Sequence, residues 1–204
     1  MIIRSVTVGQ MKANCYILGC KKTRQAVIID PGDDYQKIIN CLKQEGLEPK
    51  IVINTHGHID HIAVNDKFNL PIYIHELDAE CLINPTKNLS AFFGPGYTSP
   101  TAVRLLKDKD EIEVGEINLR VIHTPGHTPG GICLTTDNIV FTGDTLFCRG
   151  IGRTDFPGAS EKDLIASIKE KIFALSDKTV VYPGHGPYST VGSEAVFMKK
   201  QSML

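Results

Sequence analysis

The stretch HGHIDH at residues 56–61 places three imidazoles and one carboxylate within six residues. In an extended segment, residues two apart point the same way, so His56 and His58 can converge on one ion, with a glycine allowing a tight turn between them. Asp60 and His61 follow an expected bend into a helix, so we expect them to face a second ion. Divalent transition metals favour imidazole nitrogen and carboxylate oxygen. The stretch therefore predicts a metal site, and its donors favour two ions.

One segment cannot complete two coordination shells, so later parts of the chain must add donors. His127 lies in a turn-rich loop after a predicted strand, where it can be the third imidazole of the first ion. Asp144 has two oxygens and can bridge the ions, and His185 can complete the second. All these positions lie just beyond predicted strand ends, where open α/β folds usually build their sites. The expected ligands are His56, His58, Asp60, His61, His127, Asp144 and His185.

Three other residues near these segments are weaker candidates. His75 follows a predicted strand and is interpreted as a helix-start or surface residue. His123 could compete with His127 as a ligand, but its place at the end of an apolar strand favours a packing or supporting role. The six cysteines are irregularly spaced and form no C-x-x-C pair, so we interpret most as buried apolar residues. Cys148, close to Asp144, could line the pocket.

Composition is that of an ordinary globular protein, with 42% hydrophobic and 22% charged residues. The length of 204 residues suits a single domain, predicted over residues 1–204. A net charge of −1 gives no reason to expect a nucleic acid or membrane partner. No apolar run approaches the roughly 18 residues of a membrane span, and the N-terminus lacks a signal-peptide pattern. We therefore expect a cytoplasmic protein, with its oligomeric state left open.

Strands are predicted in two blocks that are separated by a loop. The first block comprises residues 2–8, 15–18, 26–29, 51–53 and 71–74, with a helix from Tyr35 that stops at Gly46 and a short helix near Asp60. The second comprises residues 112–114, 117–122, 132–134, 139–141 and 179–182, with a helix over 161–175 capped by Ser160. Two such blocks flanked by helices predict two stacked sheets covered by helices. The loop at 84–101 holds Phe92, Phe93 and Tyr97, which could form a lip over the site.

The histidine-rich stretch, taken with His127, Asp144 and His185, resembles the metallo-β-lactamase superfamily. Three further motifs match the branch around glyoxalase II (hydroxyacylglutathione hydrolase): Asn14-Cys15-Tyr16, Asp30-Pro31-Gly32 and Gly152-Arg153-Thr154-Asp155-Phe156. The compact length is most similar to the short bacterial members of that branch. The resemblance implies an α+β fold, a four-layer αββα sandwich with the metals at one edge.

The same resemblance implies roles for individual residues. One ion is held by His56, His58 and His127, the other by Asp60, His61 and His185, and Asp144 bridges them. Arg153 falls where glyoxalase II carries a basic residue that grips glutathione. The pattern departs from glyoxalase II at Pro187, where that family has a tyrosine.

The metal site predicts a metal-dependent hydrolase, and the resemblance implies a glyoxalase II-like thioesterase that cleaves S-acyl thiol conjugates such as S-lactoylglutathione. Two divalent ions, with zinc expected and iron or manganese as alternatives, would lower the pKa of a bridging water toward about 7, so that hydroxide attacks the carbonyl carbon. Asp60 is the candidate catalytic residue, which would orient the nucleophile or take its proton. The small-molecule thioester is the expected partner.

Two alternatives stay open at this point. A persulfide dioxygenase shares the Gly-Arg-Thr-Asp-Phe motif but binds one iron and normally lacks a histidine-rich second site. A non-catalytic metal-binding module is the alternative from another class. Structural sites are saturated by protein ligands, whereas the expected set leaves room for water. A nuclease would be expected to carry a basic surplus that this composition lacks.

Overall fold

The structure is a computed structural model that describes residues 1–201, and the first of its two large sheets has six strands. These strands lie side by side in chain order: β1 (Ile2–Val8), β2 (Ala13–Gly19), β3 (Gln25–Ile29), β4 (Glu48–Ile53), β5 (Ile72–His75) and β6 (Arg104–Leu106). Strands β1 to β3 pair antiparallel, and β3 to β6 pair parallel. The second strand is buried along its whole length, as expected for a strand covered on both faces.

The second sheet also has six strands, which are in chain order β7 (Glu111–Val114), β8 (Ile117–His123), β9 (Ile132–Thr136), β10 (Ile139–Gly143), β13 (Val180–Pro183) and β14 (Ser189–Thr190). They lie side by side in the order β14-β13-β10-β9-β8-β7. A small antiparallel pair, β11 (Leu146–Phe147) and β12 (Gly150–Ile151), lies between β10 and β13 in the chain. Because β10 and β13 are parallel, the residues that follow them emerge at the same edge of the sheet.

Within residues 1–201, five α-helices accompany the sheets: α1 (Tyr35–Glu45), α2 (Ile59–Ile62), α3 (Asn65–Phe68), α4 (Glu161–Ser167) and α5 (Val191–Lys200). The first buries Ile38 and Leu42 and ends at Gly46, whose φ of 58° is readily adopted only without a Cβ. The Ser160 hydroxyl accepts the Asp163 N–H at 3.3 Å, so the predicted cap of α4 is confirmed.

The packing gives four layers. One apolar cluster fills the space between the sheets, with Leu18 and Ile29 from the first and Leu119 and Phe141 from the second. A second cluster joins the outer face of the first sheet to α1 and α2, and a third joins the second sheet to α4 and α5. The predicted α+β sandwich of type αββα is therefore confirmed.

Two helix predictions need correction, and the short strands β6, β11, β12 and β14 lie outside the predicted ranges. The short edge strand β6 was not predicted, because its three residues form a strand only by pairing with β5. The single helix expected near Asp60 is two short helices, since the Val64 N–H donates to the Pro31 carbonyl rather than to the preceding turn. The helix expected over 161–175 is α-helical only to Ser167, and a π-helical turn follows at Ile168–Ile172.

Residues 202–204, which the single-domain prediction includes, lie outside the described residues. Within residues 1–201, no helix is both long and apolar enough to cross a membrane.

Candidate metal centre

All seven predicted ligands come together beyond the carboxyl ends of four strands. The histidine-rich stretch follows β4, His127 follows β8, Asp144 follows β10 and His185 follows β13. Their donor atoms form three overlapping groups, with all atoms of a group within 4.8 Å of one another: His56, His58 and His127; His56, His61 and Asp144; and Asp60, His61 and His185. The structure thus brings the predicted set into one cluster with two ends. The first end is the triad His56, His58 and His127, and the second end is the triad Asp60, His61 and His185.

The spacing of the donor atoms suits cations. In a tetrahedral zinc site with bonds of about 2.0–2.1 Å, neighbouring donors lie roughly 3.3–3.4 Å apart. Here His58 Nδ1 lies 2.9 Å from His127 Nε2, and His61 Nε2 lies 3.3 Å from His185 Nε2. The Asp60 carboxylate is 3.2 Å from the same His185 nitrogen. A group of imidazoles held this closely is well arranged for a shared positive ion.

Two buried polar atoms test whether a metal fits. His56 Nε2 and Asp144 Oδ1 have no hydrogen-bond partner within residues 1–201, although both are removed from solvent. A buried acceptor left without a partner destabilises the fold, so native structures rarely contain one without an ion or water beside it. Both atoms point into the cluster, in the same donor group. The residues present therefore fit bound metal ions.

The outer ring nitrogens are held by other parts of the chain. His127 Nδ1 lies 2.7 Å from the Arg153 carbonyl and donates to it, which fixes the tautomer and leaves Nε2 free for an ion. His61 Nδ1 lies 3.0 Å from an oxygen of Asp30. His56 Nδ1 lies 3.2 Å from the Thr55 hydroxyl. Each ring is thus oriented before any metal arrives.

Charge is distributed unevenly between the two ends. Burial, followed by the nearby His127 ring, lowers the pKa of His58 to about 3, and burial also lowers the pKa of His56, so both imidazoles are neutral and suited to metal ligation. Burial also lowers the pKa of His61, but neighbouring carboxylates, Asp60 foremost, outweigh it and raise that pKa to about 10. Burial raises the pKa of Asp60, whereas His61 and His185 lower it below its usual range. The negative charge is therefore concentrated at the second end.

The centre opens onto a cavity of about 290 Å³. Its walls are largely apolar and include Met11, Leu89, Phe93, Phe147 and Phe156. Of the three aromatic residues predicted to form a lip, Phe93 lines this cavity. Phe92 is exposed and does not line it. Tyr97 packs against the core, and its hydroxyl donates to Asp66 at 3.1 Å. Cys148 does not line the cavity.

Arg153 also lines the cavity, as predicted for a substrate-binding residue. Its guanidinium donates two hydrogen bonds to Asp155, at 2.9 and 2.7 Å, and lies 4.5 Å from the centre of the Phe156 ring. The structure shows Arg153 paired with Asp155, while its binding of an anionic substrate group stays a prediction. The pair is exposed, so a substrate anion can compete for the guanidinium.

His75 and His123 lie outside all three donor groups and stack on each other, with ring centres 4.0 Å apart. The surface alternative for His75 is wrong, because the residue is buried. The helix-start alternative is confirmed, since its Nδ1 accepts the Leu77 N–H at 3.3 Å. His123 Nε2 contacts the Pro129 carbonyl at 2.9 Å, in the loop that carries His127. His123 thus takes the predicted supporting role.

Two buried carboxylates that contact the ligand segments were not assigned roles from the sequence. Asp30 accepts the Thr55 N–H and hydroxyl, both at 2.7 Å, in addition to its contact with His61. Its Asp-Pro-Gly motif was visible, but the motif alone gives no partner. Asp78 lies in the 3₁₀ helix Glu76–Leu82, and no local pattern distinguishes it from an exposed helix residue.

Replacing Gly32 with alanine is expected to disrupt the second end of the centre. An added Cβ would lie 1.5 Å from the Asp60 carbonyl oxygen, so the backbone that carries Asp60 and His61 must move. We expect the variant to lose about 3 kcal/mol or more of unfolding free energy and part of its bound metal. Chemical denaturation and elemental analysis measure both. Gly94→Ala is the control, because its Cβ would meet no atom within 4 Å, and wild-type behaviour of Gly32→Ala would contradict the prediction.

Comparison with known proteins adds relatives that match along nearly the whole chain. The family model of the metallo-beta-lactamase superfamily matches residues 8–185. An uncharacterized protein of Mycobacterium tuberculosis is 41% identical over 215 residues, which cover 97% of this chain and 96% of that protein. The hydroxyacylglutathione hydrolase GloC of Haemophilus influenzae is 33% identical over 202 residues, covering 95% of each.

Solved structures agree with these matches. The BLEG-1 B3 metallo-beta-lactamase has a TM-score of 0.89 and 37% identity, covering 96% of this chain and 97% of that one. The protein TTHA1623, in a di-iron-bound form, has a TM-score of 0.83 and 34% identity, with 94% and 96% covered. At 37% and 34% identity, these two proteins are similar to the chain in sequence as well as in fold.

Proposed function

Since the chain belongs to the metallo-β-lactamase superfamily, we propose that this metal-dependent hydrolase is a thioesterase that cleaves S-acyl thiol conjugates. The observation that carries the proposal is the pair of donor triads with Asp144 between them, 3.6 Å from a ring nitrogen of each, opening onto one cavity. Hydrolysis of an acyl group needs an activated water and stabilisation of the charge that develops on the carbonyl oxygen. A site for two adjacent cations is suited to both needs.

The residues divide between two ions. His56, His58 and His127 would hold one, Asp60, His61 and His185 the other, with Asp144 between them. When bound, such ions lower the pKa of water and polarise the substrate carbonyl. Zinc is the proposed metal, because three histidine ligands with an open position for water form a common catalytic zinc site. Iron and manganese tolerate the same donors, and a similar structure is described as di-iron-bound.

The chain's own groups take the remaining tasks. The Asp60 side chain is partly open to the cavity, unlike the fully buried His61, so it can orient the attacking water and receive its proton. The aromatic walls exclude bulk water from the acyl group and the thiol carrier. Arg153 would bind an anionic group of the carrier by exchanging Asp155 for it. The cytoplasmic location, and the absence of a nucleic acid or membrane partner, remain predictions from composition.

Hydrolysis of β-lactams is a second candidate, because the likeness to the BLEG-1 B3 metallo-beta-lactamase spans nearly both chains. Both reactions are attacks of water on an acyl carbon, so the same centre could serve either. The persulfide dioxygenase alternative needs a single iron. The second triad of Asp60, His61 and His185 would have no role in it, and this weighs against that reading.

A substrate panel with metal-loaded protein separates these candidates. We expect cleavage of S-D-lactoylglutathione and of an acyl thioester of N-acetylcysteamine, whose carrier is neutral. Arg153→Ala should raise KM for the glutathione thioester and leave KM for the neutral one unchanged. Cleavage of a chromogenic cephalosporin alone would favour the second candidate, and oxygen uptake with glutathione persulfide would favour the dioxygenase. Failure to cleave any thioester would refute the proposal.

A further inference from the structure

Three carboxyl side chains are buried within residues 1–201: Asp30, Asp78 and Glu194. A buried carboxylate destabilises a fold unless hydrogen bonds replace its lost water, so each of the three is informative. Asp30 contacts His61 directly. Glu194 lies on helix α5 and accepts the Arg149 N–H at 2.7 Å. It contacts none of the segments that carry the predicted metal ligands. Asp78 belongs to a 3₁₀ helix that supplies no donor to the metal centre, yet its hydrogen bonds lead there.

Both carboxylate oxygens of Asp78 accept hydrogen bonds from the two segments that carry the first triad. Its Oδ2 accepts the Gly57 N–H at 3.0 Å, from the residue between His56 and His58. The same oxygen accepts the Thr128 hydroxyl at 2.7 Å, from the residue after His127. Its Oδ1 accepts the Gly130 N–H at 2.7 Å, two residues further on. One carboxylate therefore joins a loop of the first sheet to a loop of the second.

We propose that Asp78 is a positioning residue that sets the distance between His58 and His127 and so determines the metal affinity of the first triad alone. The inference rests on the metal centre of the proposed function. The two imidazole donors lie 2.9 Å apart on loops from different sheets, and Asp78 is bonded to both loops. Asp30 contacts the second triad through His61 and also bonds to Thr55, the residue before His56 of the first triad.

Close packing leaves little room for these loops to adjust. A Cβ on Gly130 would lie 2.6 Å from both the Asp78 Oδ1 and its backbone nitrogen, and a Cβ on Gly57 would lie 2.2 Å from the Cys81 Cβ. In Asp78→Asn, the amide –NH2 replaces one acceptor and faces a backbone N–H that needs one. Two donors cannot share a hydrogen bond, so one ligand loop must move away from the other.

The test measures the zinc affinity of each triad separately. His185→Ala removes a ligand of the second triad and leaves the first triad intact. His58→Ala removes a ligand of the first triad and leaves the second intact. We expect Asp78→Asn to weaken zinc binding about 10- to 100-fold in the His185→Ala background, the range typical for residues that orient metal ligands. In the His58→Ala background it should leave the affinity unchanged. Competition with a chromophoric chelator gives both dissociation constants without any activity assay.

Glu194→Gln is the matched control, because it neutralises an equally buried carboxylate away from the centre. Both variants are expected to lower the Tm of the metal-free protein, but only Asp78→Asn should change a dissociation constant. If Asp78→Asn does not fold, Thr128→Val removes one of the three hydrogen bonds at nearly constant shape and should weaken the first triad in the same direction. Unchanged affinity, or equal loss at both triads, would overturn the inference. If the wild-type chain bound no zinc, the proposed function would fail instead.

Discussion

Asp144→Asn is expected to remove nearly all hydrolytic activity and to weaken both metal positions together. One oxygen of Asp144 lies 3.4 Å from His61 Nε2, and the other lies 3.6 Å from both His127 Nε2 and His185 Nε2. Asp144 is therefore the one predicted ligand whose two oxygens face both triads. An asparagine keeps the shape but loses the charge and one acceptor, so it cannot hold two cations.

The expected loss is large because the metals supply most of the charge stabilisation. Losing several kcal/mol of transition-state stabilisation corresponds to about 10³-fold or more in kcat/KM. Elemental analysis after gel filtration should show a total metal content well below that of the wild type, and steady-state kinetics on the accepted thioester should show the fall in kcat/KM. Asp137→Asn is the control, since that carboxylate is exposed and lies in the turn before β10, at the opposite end of the strand from Asp144. A variant that keeps both metals and wild-type kcat/KM would show that Asp144 is no bridge.

The residues of this cluster could be predicted from the sequence because metal chemistry restricts residue type and strands restrict position. Imidazoles two residues apart in an extended segment must point together, and strand ends gather at one edge. The remaining ligands were each preceded by a recognisable strand, as His185 is by β13. The same reasoning gave the sandwich, since alternating blocks of strands and helices have few ways to pack.

The outer contacts of the centre could not be found in the same way, because they depend on tertiary distance. Asp78 bonds to residues that are 21, 50 and 52 positions away along the chain. His75 becomes buried only because the ends of β5 and β8 bring it against His123. Phe92 and Phe93 are adjacent in sequence, yet only Phe93 lines the cavity. The sequence of a loop has no repeating pattern that would show which of its side chains face a site.

Asp60→Asn is expected to lower kcat about 10²- to 10⁴-fold, the range typical of a lost general base. The Asp60 carboxylate lies 3.2 Å from His185 Nε2 and 3.7 Å from His61 Nε2, so it belongs to the second triad by geometry. It also borders the main cavity and a smaller one of about 210 Å³ beside Met11. This double exposure is what a ligand that also handles a proton requires.

The two roles of Asp60 can be separated by adding metal. If Asp60 were only a ligand, a large excess of zinc would refill the second triad of Asp60→Asn and restore kcat, because an amide oxygen still coordinates weakly. If Asp60 also receives the proton of the attacking water, kcat stays low at full metal content, since a neutral amide cannot accept it. Asp33→Asn serves as the control for charge, because Asp33 borders the smaller cavity without belonging to any donor group. Titrating zinc into both variants while following kcat decides between the two roles. Full recovery of kcat in Asp60→Asn would show that Asp60 is a metal ligand and not a catalytic residue.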